Sequence, residues 1–98
     1  MPHRVAPQAE TDLGGIWLAV AKQSRNPEIA NRLIDSITER FLVLARHPYL
    51  GRPRDEELGA GLRSFPVGEY VVVYCVENQD VLILRVVHGR RDLEGLLF

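Results

Sequence analysis

The sequence predicts an α+β domain in which an N-terminal edge strand and a helical hairpin precede an antiparallel β-sheet. Three observations lead there. The first half repeats its apolar residues at helical spacing, and the second half gathers them in short β-rich runs. The connections between those runs are too short for any but antiparallel neighbours. A chain of 98 residues supports one such domain, residues 1–98, with a single modest core.

Residues 3–6 are short enough to be an edge strand, and Pro7 suits the first turn of a helix. Ala9, Leu13, Ile16, Trp17 and Val20 fall on one face and predict a helix over residues 8–23, with Trp17 in the core. Glu10 and Asp12 lie in its first turns, where carboxylates complement the helix dipole. Gly14-Gly15 costs roughly 1 kcal/mol of helix stability per glycine relative to alanine. Either a neighbouring element approaches closely there or the helix is weak.

Ser24-Arg25-Asn26-Pro27 ends the first helix and starts a second, with Asn26 as N-cap and Pro27 at the first helical position. Ala30, Leu33, Ile34, Ile37, Phe41 and Leu44 carry an apolar stripe to around Arg46, and helices joined this tightly pack as an antiparallel hairpin. The prolines and glycine of His47-Pro48-Tyr49-Leu50-Gly51-Arg52-Pro53-Arg54 forbid regular structure, and Asp55-Glu56-Glu57-Leu58 forms at most a single turn. Residues 62–65, 70–76 and 81–87 read as strands separated by Pro66-Val67-Gly68-Glu69 and Glu77-Asn78-Gln79-Asp80. In the middle strand Tyr70, Val72 and Tyr74 point one way and Val71, Val73 and Cys75 the other. The hairpin covers one face, which leaves the second partly open.

Apolar residues make up 46% of the chain and charged residues 26%, the balance of an ordinary soluble globular protein. A formal net charge of −1 argues against a protein that coats nucleic acid through bulk electrostatics. No apolar run approaches the ~18 residues a membrane helix needs, and no signal peptide is evident, so the cytoplasm is the expected location. The lone cysteine, Cys75, excludes an intramolecular disulfide and reads as a small buried residue, not a nucleophile. No His/Cys/Asp/Glu set has metal-ligand spacing and no glycine-rich loop cradles phosphate, so neither metal nor cofactor is expected. Of the 12 basic residues only Lys22 is lysine. Arginine suits carboxylates and phosphates but is a poor general base, although genomic base composition produces the same bias.

Function concentrates near the end of the chain. Arg85 interrupts the apolar run Val81-Leu82-Ile83-Leu84-Arg85-Val86-Val87, and a guanidinium there must lie on an open sheet face or meet an anionic group. Arg63 and Arg85, on successive strands, either form an anion site for a partner or pair with Glu69 or Glu77. Arg90 and Arg91 either contact a partner, form a solvated turn, or pair with Asp92 and Glu94. His88 alone in this region titrates near neutral pH, as an acid–base group or as a strand-end hydrogen bonder. Tyr70 and Tyr74 either stack on a base or pack in the sheet.

Several segments, in this order and spacing, resemble the ParE/RelE superfamily of small bacterial toxins, the plasmid-stabilisation class. They are Asp12-Leu13-Gly14-Gly15-Ile16-Trp17, Leu44-Ala45-Arg46-His47-Pro48-Tyr49-Leu50-Gly51-Arg52, Gly61-Leu62-Arg63-Ser64, Tyr70-Val71-Val72-Val73-Tyr74 and Ile83-Leu84-Arg85-Val86-Val87-His88-Gly89-Arg90-Arg91-Asp92. The resemblance implies a helical hairpin on a twisted antiparallel sheet and a short C-terminal helix over residues 92–98. It also implies a ParD-like antitoxin in a toxin–antitoxin hetero-oligomer. RelE-like members cleave messenger RNA on the ribosome, whereas ParE-like members inhibit DNA gyrase. Cleavage by the 2′-hydroxyl needs a base, an acid and cations for the phosphate. The lysines and terminal tyrosine of RelE-like sites have no counterpart here. The expectation is therefore a ParE-like toxin that binds gyrase, with Arg63, Arg85, Arg90 and Arg91 as partner-binding residues. The alternatives are a RelE-type endoribonuclease using His88, Arg85 and Arg63, and a non-toxic member that only binds an antitoxin.

Overall fold

The computed structural model describes residues 3–89 and 92–96. Strand β1 (His3–Val5) leads through Ala6 into helix α1 (Pro7–Ser24), followed by α2 (Pro27–Arg46), β2 (Arg52–Pro53), β3 (Arg63–Val67), β4 (Tyr70–Glu77) and β5 (Asp80–His88). The five strands form one sheet in the order β1-β5-β4-β3-β2. The expected α+β class holds, with β1 at an edge, but the sheet is mixed. β1 runs parallel to β5, His3 opposite Val81 and Val5 opposite Ile83, while every other pair is antiparallel. No hairpin joins β1 to its neighbour, because the whole helical layer intervenes, so connection length does not constrain its direction.

The helices begin and end where local chemistry dictates. Pro7 occupies the first turn of α1, and Arg25 closes it in the left-handed region at φ 58°. The Asn26 side chain accepts the Glu28 N–H at 3.0 Å and caps α2. Ala9 is fully buried, Leu13 and Ile16 pack against the core, and Ala30, Ile37, Phe41 and Leu44 are the buried face of α2. Trp17 is a correction: it is half-buried and ties the helices together by donating its indole N–H to Asn31 Oδ1 at 2.8 Å. Nothing approaches Gly14 or Gly15 within 4 Å of where a Cβ would stand, so no neighbouring element explains the pair.

Sheet boundaries also shift from expectation. β3 continues through Pro66 and Val67, leaving Gly68-Glu69 as the turn, with Gly68 at φ 59°. The β4–β5 hairpin turns on Asn78 and Gln79 alone, at φ 51° and 68°, the type I′ sign pattern that matches strand twist. The segment expected to be irregular contributes β2, where Arg52 and Pro53 pair with Ser64 and Arg63; proline is tolerated because β2 is an edge strand. After β5, the described residues hold one 3₁₀ turn, Glu94–Leu96, and residues 97 and 98 of the expected helix lie outside the described residues.

A β-bulge controls the last strand. Val73 pairs with Arg85 and Tyr74 with Ile83, so Leu84 is the inserted residue. Val81 and Ile83 face the helices before it, and Val86 does so after it. Strict alternation from Val81 would have driven Arg85 into the core. The face away from the helices is also less open than expected: Val73 and Leu58 are buried, and Leu62, Leu84 and Leu96 enclose a small cavity with them.

Candidate functional site

β1 covers only the first half of β5. Its last bond runs from the Ala6 N–H to the Ile83 carbonyl at 2.8 Å, after which the chain turns into α1 and leaves the outer edge of β5 without a strand. Two carboxylates occupy that edge instead. Asp12, from α1, accepts the Val86 N–H at 2.9 Å and the Arg85 guanidinium at 2.8 and 3.1 Å. Asp92 accepts the His88 N–H at 3.2 Å.

Between α1 and this edge lies a groove of about 610 Å³. Thr11, Gly15 and Ala19, one helical turn apart, form a low wall; Arg85, Val86 and His88 form the other. Ile16 and Tyr70 contribute apolar surface, and Asp92, Gly95 and Leu96 also line it. The His88 ring meets Tyr70 edge-on, centroids 5.6 Å apart, and borders a second cavity at the β3–β4 turn with Glu69 and Gly89. A strand edge, mixed polar and apolar lining and small residues on the facing helix suit an extended or helical peptide.

The sequence candidates do not converge. Arg63 and Arg85 lie on β3 and β5 with β4 between them, not on successive strands, and each guanidinium has its own internal partners. Arg63 donates to the carbonyls of Tyr49 at 3.2 Å and Gly51 at 2.6 Å and stacks 5.0 Å from the Tyr49 ring centre. Arg85 pairs with Asp12, not with Glu69 or Glu77; Glu77 lies 3.7 Å from Arg4. The Asp12 hydrogen bond holds Arg85 above the usual guanidinium pKa despite partial burial, and the charges of Asp12 and Asp92 act in the same direction. Arg90 and Arg91 lie outside the described residues. Lys22 is exposed in the last turn of α1.

Tyr74 is core and has no surface on which to stack a base. Its ring is fully buried; its hydroxyl accepts the Gly51 N–H at 2.8 Å and donates to the Pro48 carbonyl at 2.9 Å. Burial pushes its pKa up, against the opposing pull of the Gly51 N–H and the Arg63 charge. Cys75 is half-buried, and burial raises its thiol pKa, with the Glu77 carboxylate adding to the effect and Arg4 opposing it. Among the described residues, no three His, Cys, Asp or Glu side chains group to hold a metal, and no helix is long and apolar enough to cross a membrane.

Sequence reasoning missed Asp12 as a site residue, because its place in the first turns of a helix already had an explanation. The signal was Arg85, which demanded an anion without saying which.

The sequence and the fold have parallels among known proteins. Residues 4–93 match the family model described as the ParE toxin of the type II toxin–antitoxin system, parDE. Toxin ParE3 of Caulobacter vibrioides is 35% identical over 75 residues, 76% of this chain and 74% of that protein. Toxin RelE3 of the same organism is 35% identical over 87 residues, 87% of this chain and 90% of that protein. The chromosomal ParDE system of P. aeruginosa shares the fold with a TM-score of 0.78 at 22% identity, covering 90% of this chain and 95% of that one. The RelBE2 toxin–antitoxin complex of Mycobacterium tuberculosis matches with a TM-score of 0.60 at 28% identity, covering 90% and 99%. With a family match over nearly the whole described chain, and relatives of both the ParE and RelE names, this chain belongs to the ParE toxin family of type II toxin–antitoxin systems.

Proposed function

We propose that this toxin inhibits DNA gyrase by binding, not by catalysis, and that a ParD-like antitoxin neutralises it by laying its tail in the α1–β5 groove. The observation that supports a binding mode is the engagement of Arg85 and Arg63. A ribonuclease needs cations that can meet phosphate charge as it develops, and here one guanidinium is held by Asp12 and the other by two backbone carbonyls. Arg90 and Arg91, which follow the last strand, are proposed as contacts to gyrase. The groove supports the antitoxin reading through a strand edge that no strand covers and a small-residue wall, and the similar RelBE2 structure is itself a toxin–antitoxin complex. A stable complex of this kind buries more than ~1,200 Å².

A second reading, the RelE-type ribosome-dependent ribonuclease, draws on the likeness to Toxin RelE3 and on His88 beside Tyr70 in the groove. One experiment separates the two. Purified toxin is added to a gyrase supercoiling reaction and to a reconstituted translation system. Gyrase inhibition with intact messenger RNA is expected, weakened in a graded way by Arg90→Ala or Arg91→Ala. Ribosome-bound messenger RNA that is cut by wild type and uncut by His88→Gln would replace this reading with the second.

A further inference from the structure

We propose that the Tyr49–Leu50 turn, at the sheet edge opposite the α1–β5 groove, is a separate docking surface for an acidic, apolar-pocketed face of the protein this toxin acts on. The inference rests on the toxin reading but not on gyrase being the target. Tyr49 is 69% exposed and Leu50 52%. Exposed apolar residues are common singly, and Leu18, Ile29 and Leu42 are examples on helix surfaces. What distinguishes Tyr49 and Leu50 is that they are adjacent and that the chain holds them outward from a rigid base.

The base is built from distant residues. The Leu50 N–H bonds the His47 carbonyl at 3.0 Å. The buried Tyr74 hydroxyl takes the Gly51 N–H and reaches the Pro48 carbonyl. Arg63 holds the carbonyls of Tyr49 and Gly51 and stacks on the Tyr49 ring. A Cβ on Gly51 would stand 2.5 Å from the Tyr74 hydroxyl oxygen, so only glycine permits this closure. Fixing the backbone before binding removes an ordering cost that a mobile loop would meet on association, and tyrosine and arginine are the residue types that dominate interface energies.

Charge indicates the partner. Arg46, His47 and Arg52 are exposed around the turn, and the side chains of Arg46 and Arg52 make no ion pair among the described residues. Two of the three acids that follow are engaged locally, Asp55 with the Gly61 N–H and Glu57 with Arg54. Beside Tyr49 lies a cavity of about 240 Å³ whose lining mixes Pro53, Leu62 and Val76 with the charged Asp55 and Arg63. Arginines around an aromatic and an aliphatic anchor fit an acidic protein face, whose apolar surface can receive the two anchors beside its carboxylates.

The test uses the full chain as wild type, Tyr49→Ser, Leu50→Ser and Arg52→Glu. Growth arrest, affinity for purified antitoxin and affinity for purified gyrase holoenzyme are measured, with thermal melts as the folding control. Tyr49→Ser and Leu50→Ser are each expected to weaken target binding roughly 30-fold and to relieve arrest. Antitoxin affinity should stay within about threefold of wild type, since the turn is remote from the groove. Arrest by both variants at the wild-type level overturns the proposal. So does a parallel loss of antitoxin affinity, which would assign the turn to the antitoxin. A salt-sensitive loss in Arg52→Glu with Tyr49→Ser silent would assign it to nucleic acid and also overturn the proposal. Arrest by a wild-type chain that does not bind gyrase sinks the gyrase reading alone, and the variants are then scored on arrest. A wild-type chain that arrests nothing sinks both.

Discussion

Asp12 joins three parts of the molecule: α1, the Arg85 guanidinium and the Val86 N–H, which no strand meets. Its side chain is 14% exposed and that of Arg85 31%, so the pair is shielded but not dry. Replacing Asp12 with alanine leaves a partly buried cation facing the helix and a strand N–H without its acceptor. The expected loss is about 2–4 kcal/mol, the lower part of that range if water reaches Arg85. Asp12→Asn keeps an acceptor for Val86 and should lose less. Thermal melts of both variants check this, and a melting temperature for Asp12→Ala equal to wild type would show that the pair contributes nothing net. Arg85 was legible as a residue in need of an anion. Its partner was not, because 73 positions separate the two and other carboxylates were equally available.

Turn chemistry and strand parity act at the scale of elements. The β4–β5 turn places Gln79 at φ 68°, a region in which a side chain with a Cβ is strained by roughly 1 kcal/mol. Gln79→Gly should therefore stabilise the hairpin by about 0.5–1 kcal/mol, a rise of several degrees in melting temperature for a domain of this size. Denaturant or thermal unfolding reads this directly; a fall in stability would mean that the Gln79 side chain contributes more than its backbone strain costs. The two helices and three long strands were legible because each is set by spacing and caps within a few residues. The bulge at Leu84 was not, although this one inserted residue brings Val86 inward in the position strict alternation gives to Arg85.

Across the whole molecule, the short reach of β1 exposes half of β5, and α1 offers Gly15 and Ala19 across the gap. Gly15→Arg tests what fills that gap. No other part of the protein lies within 4 Å of a Cβ there beyond the surrounding helix backbone, and arginine is the better helix former, so the fold should hold or gain slightly. A long cation in the groove should reduce antitoxin affinity at least about tenfold, measured by calorimetry on the purified pair. Wild-type affinity in this variant would place the antitoxin elsewhere on the surface.

By itself the sequence determined the α+β class, the helical hairpin with its Asn26 cap, the edge position of β1 and the antiparallel run β3-β4-β5. These depend on periodicity, capping and loop length, which act over a few residues and are written in the chain locally. Tertiary structure alone decided the parallel β1–β5 pairing, the β2 edge strand, the Asp12–Arg85 pair, and the closure of the Tyr49 turn by Tyr74 and Arg63. Each of these joins segments that the sequence keeps apart. A buried charge or N–H states that it needs a partner, but only packing selects which of the available groups arrives.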